Sequence, residues 1–275
     1  MKFYFTIIIL LLGPSAFSQY YYTDIENIHK LNKEYSIIKS GGYHTIRLES
    51  FEGDDSPSEG FFCEKKISSD FSTSEMVSKS NVTAESQLKT FYLNGRIVKT
   101  INVTPASSDT TIYSYDGKGR ISDIHISTFS NMDSMTITEN RHYAYNDSGQ
   151  LASLTREKNG RNVSTVKFQA DAKGNIIEED PVAGNQDRKY YYYYDEENRL
   201  TDVVHFNTLA QKLLPDFMFL YDDDGTLKQM ITVDESARNY FIWKYAYTSS
   251  GLPEIQKCYS KEKKLLGTIQ YEYQN

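Results

Sequence analysis

The sequence predicts an all-β protein, an antiparallel meander of tandem β-hairpin repeats forming an extended curved sheet, with one N-terminal amphipathic helix. Three observations carry this reading. Tyrosine is abundant, 23 residues beside 14 phenylalanines and a single tryptophan, and aromatic side chains favour the half-buried pleated surface of strands. The 15 glycines and six prolines fall mostly between apolar runs, where turns call for them. A short motif recurs through the C-terminal two thirds of the chain, and self-similarity at a period of roughly 20–50 residues marks an array of one repeated supersecondary unit.

The repeat has a physical reason at each position. Two aromatics in alternate positions share one strand face. An Asp or Asn follows, able to fold onto the backbone ahead and start a turn. Three residues on comes a Gly, which supplies a positive φ at no steric cost, and then an Ile or Leu opens the return strand. Copies begin at Tyr113, Tyr143, Phe168, Tyr192, Phe219 and Tyr245. Their turn residues are Asp116 and Gly119, Asn146 and Gly149, Asp171 and Gly174, Asp195 and Asn198, Asp222 and Gly225, and Gly251 after Thr248. Asn198 replaces glycine once, and asparagine tolerates the left-handed conformation. Phe91 to Ile97 is a shortened first member, and Tyr271 with Tyr273 closes the chain as half a unit. A second apolar residue lies three after the Ile or Leu in Ile124, Leu154, Val203 and Met230. That spacing breaks strand alternation and predicts a β-bulge or twist between the two.

These residues resemble the YD-repeat family, also called Rhs repeats, found in large bacterial exported proteins and in teneurins. The resemblance covers roughly residues 88 to 275. It implies a continuous antiparallel sheet of stacked hairpins, which spirals into a hollow shell in large relatives. Those relatives carry an Asp-Pro-x-Gly core motif and a C-terminal toxin or ligand domain. Asp180-Pro181-Val182-Ala183-Gly184 has one residue too many and is expected to be an ordinary loop, so the shell-and-toxin function is not carried over.

Upstream, residues 1–18 read as an export signal: Lys2, an apolar run from Phe5 to Leu12, and small residues Ala16 and Ser18 before a cleavage site that leaves Gln19 first. Sec export to the periplasm or the exterior follows. The run is too short to cross a bilayer, which takes ~20 residues, and no later segment is apolar enough, so no membrane span is expected. Residues 19–87 are expected to cap the array formed by 88–275. Thr23 to Glu26 has a capping-box pattern, and Ile25, Ile28, Leu31, Tyr35 and Ile38 follow at helical spacing until Gly41-Gly42, which predicts a helix over about 24–38. Residues 43–51 and 61–66 read as strands, 52–60 as an acidic loop, and the Ser- and Thr-rich 67–85 as loop or frayed edge.

A formal net charge of −7 disfavours nucleic acid, whose phosphates need clustered Lys and Arg. Cys63 and Cys258 either form one bridge or stand as separate thiols; two cysteines make no framework. No cofactor is implied. Asp222-Asp223-Asp224 and Asp195-Glu196-Glu197 lack the alternating ligands of a calcium loop and coincide with turns. None of His29, His44, His125, His142 and His205 stands in a metal or nucleophile motif, and His125 and His205 are expected at partly exposed strand positions. The chain is therefore expected to be non-catalytic, presenting an extended β surface to an envelope or extracellular protein or glycan. One rival is a carbohydrate-binding module using exposed aromatics, for which Tyr191, Tyr193 and Trp243 are the candidates, since Tyr190 to Tyr194 are five tyrosines in a row and place rings on both faces. Other rivals are an envelope hydrolase, which needs convergent carboxylates or a His–carboxylate pair, and a toxin-associated shell fragment or immunity partner.

Overall fold

The computed structural model describes residues 19–183, 188–208, 210–235 and 237–275; the expected leader at 1–18 lies outside the described residues. A π-type helical stretch at Tyr21–Glu26 continues directly into α1 (Asn27–Gly41). The strands that follow are β1 (Thr45–Glu52), β2 (Phe62–Ile67), β3 (Thr73–Lys79), β4 (Ser86–Leu93), β5 (Arg96–Val103) and β6 (Ser107–Tyr115). Next come β7 (Ile121–Ser130), β8 (Thr136–Tyr145), β9 (Leu151–Lys158), β10 (Arg161–Ala170), β11 (Ile176–Ala183) and β12 (Tyr190–Tyr194). The last six are β13 (Leu200–Asn207), β14 (Lys212–Tyr221), β15 (Leu227–Asp234), β16 (Asn239–Tyr247), β17 (Pro253–Ser260) and β18 (Leu265–Gln274).

Consecutive strands pair antiparallel, and β1 also pairs with β18, from Thr45 opposite Gln274 to Glu52 opposite Gly267. The sheet is therefore a closed barrel of 18 strands, and the expectation of an open, extended curved sheet is corrected. An open ribbon leaves two edges of unpaired N–H and C=O groups; the β1–β18 seam removes both. Closure also overturns the expectation of no membrane span, which rested on apolar length and so tested helices alone. Among the described residues no helix is long and apolar enough to cross a membrane, but a closed barrel is the other architecture whose backbone is satisfied internally within a bilayer. Residue 88 lies inside β4, and β1–β3 are staves of the same sheet as the strands after them. The stretch 67–85, expected as loop or frayed edge, contains β3, paired on both sides. The Asp180-Pro181 segment, also expected as loop, is strand: Pro181 pairs with Val166.

The motif turns share one construction. The Asp116 carboxylate accepts the N–H groups of Lys118 and Arg120, both at 2.9 Å, and Asp171 does the same for Lys173 and Asn175. Gly119, Gly149, Gly174, Gly225 and Gly251 all have φ between 79° and 93°, and Asn198 stands at 63°. One residue past each turn the return strand bulges: Ser114 opposes Asp123 and Tyr115 opposes Ile121, so Ser122 has no opposite number. The bulge brings Ile121 and Ile124 to the same inner face, each 2% exposed, which is why the apolar spacing is three. Neighbouring units are tied by the second aromatic. Tyr115 donates its hydroxyl to the Ile97 carbonyl, Tyr145 to Ile121, Tyr194 to Ile176, Tyr221 to Leu200 and Tyr273 to Pro253, at 2.7–2.9 Å.

The helix lies inside the barrel rather than capping it. Tyr20 and Tyr21 meet Glu179 on β11, while Ile38 packs with Ile46 of β1, Ile67 of β2 and Leu252. In the ring of 18 strands β11 and β2 are diametrically opposite, so the helical run crosses from wall to wall. At 1.5 Å per residue the run from Tyr20 to Ile38 spans roughly 30 Å. Its buried side carries Ile25, Ile28, Tyr35 and Ile38; His29, Lys33, Ser36 and Ser40 are exposed. The run is longer than the expected 24–38, and the capping box is corrected: Thr23 sits within the helical run and donates its hydroxyl to the Gln19 carbonyl at 2.7 Å. The helix instead starts against a barrel residue.

Candidate functional site

Strand β12 shows how the wall is divided. Tyr190 and Tyr192 point inward and are almost fully buried, while Tyr193 on the outside is 47% exposed. The inner tyrosines belong to the packing around the helix. Tyr192 donates its hydroxyl to Glu179 at 2.7 Å, and Tyr21 sets its ring edge-on against Tyr192 with centroids 5.1 Å apart. Tyr22 rests on Phe217 and Phe219 of β14, and Tyr35 stacks on Tyr92 of β4 at 3.7 Å.

Glu179 is the residue the motif analysis missed. It occupies the slot three after Ile176 that Ile124, Leu154, Val203 and Met230 fill in other units. A carboxylate in an apolar slot was the sequence signal. Its oxygens accept the N–H groups of Tyr20 at 3.1 Å and Tyr21 at 3.0 Å, two of the orphan donors at a helix start. Complete burial pushes its carboxyl up to about 7, against the opposing pull of these donors and the Tyr192 hydroxyl. Beside it, Asp24 on the helix takes both of its oxygens to the Arg141 guanidinium at 2.8 Å and also accepts the Tyr143 hydroxyl. Arg141 and Arg156 share Glu139. These charged groups around the helix start are thus paired, as burial requires.

A His–carboxylate pair does exist. His205 on β13 is 1% exposed, a correction to its expected partly exposed position. Its Nδ1 meets Asp216 at 3.0 Å and its Nε2 lies 3.1 Å from the Arg188 guanidinium, which pairs with Glu235. With both ring nitrogens engaged and the ring enclosed, a substrate has no approach to this imidazole in this conformation. His125 contacts Asn140 and His142 contacts Asp123 on the outer wall. Cys63 and Cys258 are buried and unbonded; burial raises their thiols to about 11 and about 12. Among the described residues no three His, Cys, Asp or Glu side chains gather to hold a metal ion.

The outer wall divides into sectors. On β1–β4 it carries ion pairs, Arg47 with Glu64 at 2.8 Å and Lys89 with Glu75 at 2.6 Å. On β12–β16 it is largely apolar. One row across the strands runs Tyr193, Asp202, Met218, Ile231 and Ile242; another runs Tyr191, Val204 and Pro215. Phe206, Leu213, Met218, Leu220 and Tyr240 are 37–54% exposed. Tyr191 is half-buried with the Lys189 ammonium 5.4 Å from its ring. The candidate binding residues therefore separate: Tyr191 and Tyr193 lie together on this outer sector, but Trp243 faces inward opposite Met230 and Cys258, with its Nε1 donating to the Thr232 hydroxyl at 3.2 Å. The three candidates do not share one face.

No family model matches the chain, and no curated protein matches it. Among solved structures it is similar to a porin-like protein from Bacteroides uniformis, at 12% identity and TM-score 0.38, over 84% of this chain and 96% of that one. A porin-like protein from Bacteroides vulgatus gives 11% identity and TM-score 0.29 over 84% and 98% of the two chains. The Photorhabdus luminescens Tc holotoxin pore gives 11% and 0.28, over 78% of this chain and 16% of that chain. Likenesses this distant carry no inference about activity.

Proposed function

We propose that this chain is a non-catalytic, exported protein of the cell envelope that presents the outer wall of β12–β16 to a protein or glycan partner. The observation behind this reading is the continuity of apolar side chains across adjacent strands, with Met218, Ile231 and Ile242 in register and Tyr193, Phe206, Leu213, Met218, Leu220 and Tyr240 exposed; on β1–β4 the exposed Phe62 and Leu93 stand apart among ion pairs. Contiguous apolar patches on a folded surface mark interaction sites, and the inner rows are already used by the helix. The repeat itself is read as YD-type on the strength of its aromatic, acidic and glycine positions. The test is photocrosslinking in the producing cell from a reactive residue placed at 193, 218 or 75. The reading expects a discrete adduct from 193 and 218 and none from 75; no adduct from 193 and 218, or equal adducts from all three, ends it.

A glycan partner is favoured by Tyr191 and Tyr193 on one outer face, Tyr193 47% exposed and Tyr191 half-buried; sugars stack on such rings and bond to their hydroxyls. Glycan-array binding that disappears in Tyr193→Ala while Trp243→Phe retains it selects this form of the reading. Binding indifferent to Tyr193 removes it.

A further inference from the structure

The residue that export is expected to leave first lies against the barrel interior. Gln19 is 7% exposed and Tyr20 4%. The Gln19 side-chain amide donates to Asp216 at 2.8 Å, and its carbonyl accepts from the Thr23 N–H at 2.8 Å. One residue further, Glu179 accepts from Tyr20, Tyr21 and Tyr192; none of these three donors is a cation. We propose that the barrel interior is a docking site for the α-ammonium group that cleavage after Ser18 creates at Gln19, with Glu179 and Asp216 as its anionic partners.

Charge around this point supports the assignment. The network facing the start of the helix holds the carboxylates of Asp24, Glu139, Glu179, Asp216 and Glu235 and the guanidinium groups of Arg141, Arg156 and Arg188. The His205 imidazole also faces this network and already bonds Asp216; among the described residues carboxylates still outnumber these basic groups, and unmatched charge in an interior is costly. Opposing a new cation are Arg141 and Arg156, whose guanidinium groups lie 5.1 and 5.2 Å from the Tyr20 ring, and the helix amides, which favour anions. Both guanidinium groups are already engaged by carboxylates, Arg141 by Asp24 and Glu139 and Arg156 by Glu139; among the described residues no cation bonds Glu179. The hydrogen bond to Asp216 ties down the Gln19 side-chain amide. Attack of the amine on the side-chain carbonyl would form a ring, expel ammonia and erase the charge; the docked terminus resists it. Export processing thereby completes the ion balance of the plugged barrel.

The test compares the exported protein with a chain that retains one Met before Gln19, each also as Glu179→Gln. In the exported form, mass analysis is expected to find an uncyclised Gln19, and its amine to resist acylation at neutral pH until the protein unfolds. The extended form, whose Gln19 nitrogen is an uncharged amide, is expected to lose stability as pH rises from about 5 to about 8, and the exported form to lose much less, because a paired ammonium holds the Glu179 carboxyl down. Glu179→Gln is expected to abolish that difference. A terminus at another residue, a cyclised or freely acylated Gln19, or identical pH profiles for the two forms overturns the proposal.

Discussion

The two faces of β12 are made of the same amino acid and do different things. Tyr190 and Tyr192 are 1 and 2% exposed, and Tyr192 closes the hydrogen-bond set of Glu179. Tyr193 between them and Tyr194 is 47% exposed and sits in the apolar outer sector. The difference teaches that residue type in a repeat does not assign a role; the parity of the position relative to the helix does. The inner row is fixed by packing, and the outer row is left facing away from the core.

Substitutions can break this contrast in order of size. Tyr192→Ala empties a fully buried aromatic site and strips a donor from Glu179, and should cost about 3–5 kcal/mol, measured by denaturant unfolding. Next comes pH. In a chain whose Gln19 nitrogen is an amide, Glu179 titrates at about 7 when folded against 4.5 as its ordinary value. A raised carboxyl contributes stability that is fully present below the unfolded value and lost as pH rises through the folded one, so unfolding free energy should fall by on the order of 3 kcal/mol across that window; Glu179→Gln should flatten the curve. Tyr145→Phe removes one inter-unit hydrogen bond, to Ile121, and should cost about 0.5–1.5 kcal/mol. Tyr193→Ala should change stability by no more than about 0.5 kcal/mol, as exposed positions do, while weakening the cross-link expected from a reactive residue at 218. A Tyr193→Ala cost comparable with that of Tyr192→Ala would erase the distinction between the faces.

What the sequence made legible was local. The turns from Asp116 to Gly251 are set by side chains that bond within four residues, and the three-residue apolar spacing announced the bulge. Closure was not legible, because it depends on Thr45 to Glu52 meeting Gly267 to Gln274, some 220 residues away with no local mark. The helix start was misplaced for a related reason: its acceptor is Glu179, 159 residues from Tyr20, whereas Thr23 merely resembles a cap. Strand β3 was hidden by its Ser, Thr and charged residues, since only Met76 and Val77 are apolar. Trp243 was legible in principle. It shares parity with Tyr245 and Tyr247 on β16, and that parity faces inward.

The central claim is that the wall closes on itself around its own helix. It is tested most directly at the seam, where Glu49 of β1 stands opposite Gln270 of β18. In a Cys63→Ser, Cys258→Ser background, Glu49→Cys with Gln270→Cys should form an intramolecular disulfide in the folded monomer under mild oxidation, and a control pairing Glu49→Cys with Lys167→Cys should not. Failure of the first pair to bridge, or bridging only between molecules, would contradict a closed barrel.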